Sequence, residues 1–291
     1  MLGQKLVDLF VNNLKYDVLF TSRGESRLNP QYKLNYQSLD IANRQDVINI
    51  VDSFNPDGII HCAAFTHVDN CEIEKETCEA YNVNSVKYFV EAIGENNTKF
   101  VHISTDFVFD GNSTQPYKED SKVNPLSEYG LSKKKSEDVL QNSVIDYIIL
   151  RTSFVYGVLY DNSRSNFALW AKSSLENGQS INVISDQFRA PTLAEDLAKA
   201  SLNAVNSTEK GIYHIVGPET FSILGLINQI ADFWNLDKSL ISPILTKDLN
   251  QKAERPLHTN LSIEKARKEL EYNPVSFLES LSIIDKQLNR K

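Results

Sequence analysis

The chain has 291 residues, 41% of them hydrophobic and 23% charged, and a formal net charge of −8 at pH 7. This length suits one large α/β domain, or a larger domain with a smaller companion. The acidic balance argues against a nucleic-acid surface, because phosphate contacts need clustered Lys and Arg, and no apolar run is long enough to span a bilayer.

The first half of the chain alternates predicted helices with predicted strands. Helices, identified by apolar residues at i, i+3 and i+4, are predicted at 1–16, 38–54 and 72–94. Strands, identified as short apolar runs bounded by turn signals, are predicted at 17–23, 32–36, 58–64, 100–103 and 146–151. This alternation predicts an α/β fold with a doubly wound parallel Rossmann sheet, which binds ligands beyond the carboxyl ends of its strands.

After Arg151 the alternation loosens. The predicted elements there are a loop at 152–166, a helix at 167–177, a strand and a helix within 181–200 whose first turn holds Pro191 and Thr192, a strand at 211–217, and helices at 222–234, 262–270 and 276–288. We therefore expect a smaller, mainly helical C-terminal substrate lobe. The predicted Rossmann domain covers 1–153 with parts of 180–217, and the lobe covers 154–179 and 218–291.

The central stretch of the chain combines a strand with a chemically suggestive helix. The predicted strand 100–103 runs into Ser104, Thr105 and Asp106, and the next predicted helix carries Tyr129 and Lys133. Residues spaced i, i+4 share one face of a helix, and an adjacent ammonium favours the phenolate form of a Tyr. A phenol tuned in this way can protonate a carbonyl during its reduction. A Tyr and a Lys four residues apart are common on helices and by themselves do not indicate catalysis. The preceding strand, which leads into Ser104, Thr105 and Asp106, favours a catalytic interpretation.

Cysteine and histidine usage indicates neither a disulfide framework nor a metal site. Three cysteines are an odd number, and no signal peptide opens the chain, so we expect reduced thiols and a cytoplasmic protein. No CxxC or HExxH pattern is present, so no metal is predicted. His61, His102 and His214 lie within apolar strands and are interpreted as packing residues.

Five motifs occur in order along the sequence: HCAAFTHVDNCEIEKETCEAYNVN, HISTDFVFDG, PLSEYGLSK, RTSFVYG and DQFRAPT. Together they resemble the extended short-chain dehydrogenases/reductases, and most closely the dTDP-4-dehydrorhamnose reductases. The likeness covers nearly the whole chain. It implies NAD(P)-dependent reduction of a nucleotide-linked 4-keto-6-deoxy sugar, in dTDP-rhamnose biosynthesis, and it is compatible with a homodimer.

The resemblance also implies roles for individual residues. Tyr129 would be the proton donor, Lys133 would lower its pKa and hold the nicotinamide ribose, and Thr105 would bind the carbonyl region of the sugar. The other implied contacts are those of the cofactor with Asp40, Ile41, Ala63, Ala64 and Thr66, and those of the substrate with Thr66, Val68, Phe107 and Phe154. Phe154 stands where these reductases usually have Trp, which keeps a stacking surface but removes an indole donor.

The residues after the second Rossmann strand indicate which cofactor is preferred. An acidic residue there binds a ribose 2′-hydroxyl, whereas a cationic one accommodates a 2′-phosphate. This strand ends in Ser22 and Arg23, with no acid before Glu25. Because a guanidinium matches phosphate geometry and Ser22 offers a hydroxyl, we expect NADP(H) to be favoured over NAD(H).

The beginning of the chain departs from the family pattern. A GxxGxxG phosphate-binding turn should follow a first strand, yet only its last glycine can be present, at Gly3. The expectation is therefore that the first strand and most of this turn are missing, so that the Rossmann domain is truncated at its N-terminus.

Two other functions remain open from the sequence. A non-catalytic NADP-binding regulatory subunit, such as the methionine adenosyltransferase beta subunit, shares this fold and similar motifs, and a sugar-nucleotide epimerase uses the same Tyr and Lys. A dehydratase is disfavoured, because Phe107 follows Asp106 where dehydratases carry Glu.

Overall fold

The structure is a computed structural model, and it describes residues 1–11, 13, 15–28, 35–160 and 166–289. The strands are β1 (Leu19–Ser22), β2 (Asn35–Ser38), β3 (Gly58–His61), β4 (Lys99–Thr105), β5 (Tyr147–Thr152), β6 (Val155–Tyr156), β7 (Ile181–Ile184), β8 (Phe188–Arg189), β9 (Thr192–Leu193), β10 (Gly211–His214), β11 (Phe221–Ser222), β12 (Ile241–Ile244) and β13 (His258–Thr259). The helices are α1 (Leu2–Val11), α2 (Arg44–Phe54), α3 (Val68–Ile73), α4 (Lys75–Glu79), α5 (Ser85–Ile93), α6 (Glu128–Gln141), α7 (Phe167–Glu176), α8 (Ala194–Asn206), α9 (Ile223–Phe233), α10 (Glu264–Glu269) and α11 (Phe277–Leu288).

The core of the fold is a four-stranded parallel sheet with the order β10, β5, β4, β3. Its two middle strands, β4 and β5, are almost entirely buried. Side chains of neighbouring strand residues point to opposite faces. Accordingly Val101 packs in a cluster with residues of α1 and α8, whereas Phe100 packs with residues of α2 and α5. Helices cover both faces, which confirms the predicted α/β, doubly wound arrangement.

Two further strands lie beside this sheet without joining it. β1 and β2 pair with each other in parallel, and within the described residues neither forms a ladder with β3. The sheet edge at β3 and the edge at β1 are therefore both without a strand partner in the described part of the chain. The expectation that a first strand is missing stays a prediction.

A third apolar cluster forms the C-terminal part of the molecule. It joins residues of α7, α9, α11 and β7, with Tyr156 among its largest fully buried side chains. Three small sheets flank it: β6 with β9, β7 with β12, and β8 between β11 and β13. Within 154–179 and 218–291, the residues of the predicted lobe, the described helices α7, α9, α10 and α11 together contain many more residues than the short strands, as expected of a mainly helical lobe. The proposed domain limits themselves stay a prediction.

Several predicted element boundaries are corrected by the structure. The helix predicted at 38–54 begins at Arg44, because the Asn43 side chain accepts hydrogen bonds from the backbone N–H of Gln45 and Asp46 and so caps it there. The helix predicted at 72–94 is divided into α3, α4, a π-helical turn (Ala80–Asn84) and α5. α8 begins at Ala194, so Pro191 and Thr192 precede it rather than filling its first turn.

Three more predicted elements end earlier than expected: the helix predicted at 1–16 ends at Val11, and the strands predicted at 58–64 and 211–217 end at His61 and His214. The other predicted helices and strands are confirmed within about two residues at their ends, apart from positions that the structure does not describe. Of the predicted strand 32–36, residues 32–34 lie outside the described residues, as do residues 12 and 14 of the first predicted helix. His61, His102 and His214 are buried, as predicted. None of the helices in the described ranges combines the length and apolar character that a membrane crossing needs.

Candidate active site

The candidate active site begins where β4 ends. The Thr105 side chain accepts a hydrogen bond from the backbone N–H of Phe107, 3.2 Å away, and so caps a short 3-10 turn over Asp106–Val108. The turn directly follows the carboxyl end of β4. The carboxyl edge of the sheet is where doubly wound folds bind their ligands, and the turn places the hydroxyl of Thr105 and the ring of Phe107 there.

Helix α6 approaches this turn unusually closely, and a glycine makes the approach possible. Ser127 caps α6 by accepting from the backbone N–H of Gly130 at 3.2 Å. A Cβ atom on Gly130 would lie only 2.3 Å from the backbone oxygen of Phe107. Because no side chain fits between the two backbones, the preceding Tyr129 meets Phe107 edge-on, with ring centroids 5.9 Å apart.

The Tyr129 phenol is half-buried at this contact. Burial raises the pKa of Tyr129 above its ordinary value, and hydrogen bonding to Thr105 opposes part of that rise. The phenol is therefore protonated at neutral pH. A protonated phenol beside a hydroxyl is suited to donating a proton to an oxygen atom placed between them.

Lys133, one turn further along α6, is buried beneath Tyr129. Its Nζ lies 2.9 Å from Nε2 of His102, which in turn lies 3.0 Å from the Ser136 hydroxyl. Burial lowers the pKa of Lys133 to about 7, while the Glu137 carboxylate acts in the opposite direction. The amine therefore holds its proton less strongly than an exposed Lys does. Its observed hydrogen-bond partner is the imidazole of His102, on β4. The predicted effect of Lys133 on the pKa of Tyr129 stays a prediction.

A buried ion pair fixes the next turn of the same helix against the sheet. Glu137 accepts from Arg151 of β5 through Nη2 at 2.6 Å and Nε at 3.0 Å, and from the Ser104 hydroxyl at 2.5 Å. Both side chains of the ion pair are 3% exposed. Two parallel N–H···O bonds give the pair a defined geometry. This contact holds the registration of α6 relative to β4, and therefore of Tyr129 relative to Thr105.

Asp106 connects the site to the C-terminal part of the chain. Its buried carboxylate accepts from the Ser153 hydroxyl at 2.7 Å and from the Thr259 hydroxyl. The guanidinium of Arg189, from the DQFRAPT motif, lies 3.7 Å from the same carboxylate and 5.7 Å from the centre of the Phe107 ring. Three segments distant in sequence thus meet at this acid.

The residues predicted to bind the adenine end of the cofactor lie just beyond the carboxyl ends of β1 and β2. Ser22 ends β1, and Arg23 follows it with an exposed side chain. The hydroxyl of Tyr81 links Arg23 to Asp40: Arg23 Nη1 donates to it at 2.7 Å, and it donates to Asp40 Oδ2 at 3.1 Å. Ile41, next in sequence, is buried in the cluster beneath.

The loop after β3 carries the other predicted ligand contacts. Asn82 holds this loop by bonding both backbone groups of Phe65, at 2.7 Å and 3.1 Å. The predicted residues Ala63, Ala64, Thr66 and Val68 lie on either side of that anchor, and Thr66 is exposed. Asp69, in the first turn of α3, forms an ion pair with Arg255 at 2.7 Å, and this hydrogen bonding lowers the pKa of Asp69 to about 2.

Two predicted residues lie apart from these contacts. Gly3 is in the first turn of α1, and a Cβ on it would meet nothing within 4 Å. Phe154, just beyond β5, stacks on Phe167 with centroids 4.3 Å apart. Its φ of 47° is in the left-handed region, which a bulky side chain rarely adopts and which is enriched at functional sites.

Sequence reasoning missed four residues of this site. Gly130, Glu137 and Asp106 act through contacts between elements distant in sequence, although Asp106 stands within the Ser-Thr-Asp motif. Tyr81 falls within the single helix predicted at 72–94, where apolar periodicity gives it no separate role. Glu137, four residues after Lys133 on α6, carries no local signal of its pairing with Arg151, whereas the glycine beside Tyr129 in a predicted helix is a visible anomaly.

The donor set at β1 is chemically suited to a dinucleotide cofactor with a phosphate on its adenine ribose. Arg23 supplies a planar, exposed guanidinium and Ser22 an exposed hydroxyl at the edge where such folds bind nucleotides. Both are donors, as an anionic phosphate requires.

Comparisons with known proteins agree with this geometry. The family model for the RmlD substrate binding domain matches residues 1–289. The dTDP-4-dehydrorhamnose reductase of Aggregatibacter actinomycetemcomitans is 33% identical over 294 residues, which cover 97% of this chain and 94% of that relative. A crystal structure of dTDP-4-dehydrorhamnose reductase from Bacillus anthracis in complex with NADP aligns with a TM-score of 0.82 at 26% identity, covering 92% of this chain and 98% of that one.

A more distant structure shows the same fold. UDP-glucose 4-epimerase from Thermotoga maritima, with UDP-glucose, aligns with a TM-score of 0.86 at 18% identity, covering 100% of this chain and 96% of that one. The fold and the relatives together define an NAD(P)-dependent oxidoreductase built on a Rossmann sheet. Because the family match runs through almost the whole sequence, the chain belongs to the RmlD substrate binding domain family.

Proposed function

We propose that this chain uses NADPH to reduce the 4-keto group of a nucleotide-linked 6-deoxy sugar, and the relatives named dTDP-4-dehydrorhamnose reductase support this proposal. The observation that carries the proposal is the placement of the Tyr129 phenol against Thr105 at the carboxyl end of β4. A neutral phenol next to a hydroxyl is the arrangement that a ketone needs when its oxygen must be protonated.

In this proposal the residues of the chain carry out the proton transfer of the reaction. NADPH would supply the hydride that reduces carbon 4. Tyr129 donates its proton to the oxygen of that carbon, and because burial keeps the phenol protonated, it is ready to donate at neutral pH. Thr105 orients the same oxygen by hydrogen bonding. Lys133, with a pKa of about 7, stabilises the phenolate once it forms and passes a proton back to it.

The remaining predicted contacts divide between the two ligands. In this proposal Arg23 and Ser22 bind the 2′-phosphate, which is the basis for the preference for NADPH over NADH. The other cofactor contacts are Asp40, Ile41, Ala63, Ala64, Thr66 and Gly3, and the substrate contacts are Thr66, Val68, Phe107 and Phe154. Phe154 offers a stacking surface for the sugar or base without an indole donor.

Incubation with a dTDP-linked 4-keto-6-deoxy sugar and NADPH tests the proposal. We expect NADPH absorbance to fall by one equivalent per sugar reduced, with a 4-hydroxy product. An epimerase would instead change the stereochemistry of a sugar nucleotide without net consumption of NADPH. A regulatory subunit would bind NADPH and leave the sugar unchanged. Either outcome would contradict the proposal.

A further inference from the structure

Tyr81 occupies a position that links three separate segments of the predicted cofactor site. Its hydroxyl accepts from Arg23 Nη1 at 2.7 Å and donates to Asp40 Oδ2 at 3.1 Å. The Arg23 guanidinium carbon also lies 5.4 Å from the centre of the Tyr81 ring, within the range of a cation–π contact. The hydroxyl and the ring of Tyr81 therefore both contact the same exposed cation.

The local backbone explains how Tyr81 reaches this position. It lies in the π-helical turn Ala80–Asn84, between α4 and α5. A π-helical turn is wider than a turn of α-helix and often marks a functional site. Here the Ser85 hydroxyl donates to the backbone oxygen of Tyr81 at 2.6 Å, and the adjacent Asn82 is buried and fixed to Phe65. The backbone beneath the ring is thus firmly held.

Asp40 sets the direction of the Tyr81 hydroxyl. A phenol has one hydrogen to donate, and donating it to the carboxylate leaves the oxygen lone pairs for Arg23. Asp40 is itself oriented, because its Oδ1 accepts from the backbone N–H of Ala42 at 3.0 Å. The hydrogen bonds therefore converge on the Asp40 carboxylate: Arg23 donates to Tyr81, Tyr81 donates to Asp40, and the backbone of Ala42 donates to the other carboxylate oxygen.

We propose that Tyr81 is a positioning residue for cofactor selection: its hydroxyl and ring hold the Arg23 guanidinium ready for the 2′-phosphate of NADPH. This inference rests on the proposed function. An exposed Arg side chain loses much rotamer freedom when it binds a ligand. Holding it in advance reduces that loss, and one bond to Tyr81 leaves most of its five N–H groups for a phosphate.

Calorimetric binding of four probes to the full chain tests this inference: NADPH, NADH, 2′-AMP and 5′-AMP. Tyr81→Phe keeps the ring and removes only the hydroxyl. We expect it to weaken NADPH and 2′-AMP about three- to tenfold, as the loss of one hydrogen bond would, and to change NADH and 5′-AMP less than twofold. Tyr147→Phe, at the amino end of β5, is the matched control and should change none of the four affinities.

A double substitution distinguishes positioning from packing. If Tyr81 acts through Arg23, then Tyr81→Phe should have no further effect on NADPH binding in an Arg23→Ala background. Equal weakening of NADPH and NADH by Tyr81→Phe would mean a purely structural role and would overturn the inference. So would an unchanged NADPH affinity in a variant whose melting temperature equals that of the wild type.

The outcomes also separate this inference from the proposed function. If the wild type prefers NADPH and Arg23→Ala removes that preference while Tyr81→Phe does not, the inference fails and the proposed function stands. If the wild type turns over the 4-keto sugar with NADH as readily as with NADPH, the cofactor preference fails, and the inference fails with it.

Discussion

Replacing Gly130 with Ala would test whether the contact between α6 and the turn after β4 sets the catalytic geometry. The added Cβ would lie 2.3 Å from the Phe107 backbone oxygen, whereas real Cβ atoms stay at about 3.0 Å or more, so one backbone must retreat by about 0.7 Å. A misplacement of about 1 Å can reduce a rate by about 10²-fold. We therefore expect kcat to fall about ten- to a hundredfold. Overpacking should also cost about 1–3 kcal/mol, offset by up to about 1 kcal/mol of helix propensity.

Steady-state kinetics with the 4-keto sugar and thermal melts would measure both effects. Gly225→Ala is the matched control, because it lies in α9 and its Cβ would meet side-chain atoms alone, the Ser222 hydroxyl at 3.1 Å and the Phe221 Cβ at 4.0 Å, among the described residues. We expect this control to keep its kcat. If Gly130→Ala kept kcat within twofold while its melting temperature fell, the close approach would serve packing alone, and our account of how Tyr129 is placed would be refuted.

Three further predictions concern single groups. Tyr129→Phe should lower kcat by about 10²–10⁴-fold and leave the NADPH affinity nearly intact, because it removes the proton donor and keeps the ring. A variant that retained more than half of the activity would exclude Tyr129 as the general acid. Glu137→Gln should cost about 3–5 kcal/mol in urea unfolding because Arg151 loses its buried partner, whereas Glu91→Gln, at an exposed ion pair, should leave the transition almost unchanged. Burial lowers the pKa of His61 to about 3, so between pH 3 and 6.5 the unfolded chain binds a proton there that the folded chain does not. Stability should therefore decrease as pH falls through that window, and His61→Asn should reduce the slope by about 1.4 kcal/mol per pH unit; an unchanged slope would show that His61 does not carry this effect.

The parts of the fold that sequence could predict are those with a local physical signature. β4 and β5 are continuous apolar runs because both of their faces are covered, and this pattern predicts buried parallel strands. The pairing of Tyr129 and Lys133 on one helix face followed from helix periodicity alone. In each case the information lies within a few consecutive residues.

The parts that escaped prediction depend on contacts between distant segments. A π-helical turn inserts one residue into an otherwise helical pattern, and apolar periodicity on either side of Tyr81 is compatible with an uninterrupted helix. The partner of Lys133 could not be predicted until the register of β4 against α6 was known, because only that register places His102 beneath it. The later start of α2 is a different case, because it depends on the Asn43 side chain capping the helix and not on apolar periodicity.

The hydrogen bond between Asp106 and Thr259 has a consequence for how the protein is made, because it joins residues 153 positions apart. At about 5–20 residues per second, the ribosome needs about 8–30 s to add that stretch of chain. During this interval the Asp106 carboxylate lacks the Thr259 hydroxyl, one of the partners that offset the desolvation free energy of burying it. We therefore expect the turn to remain solvated. A nascent chain that has completed β4 and α6 should therefore expose this acid until β13 is synthesised. Pulse proteolysis of stalled chains ending before and after residue 259 should show protection of this turn only in the longer ones.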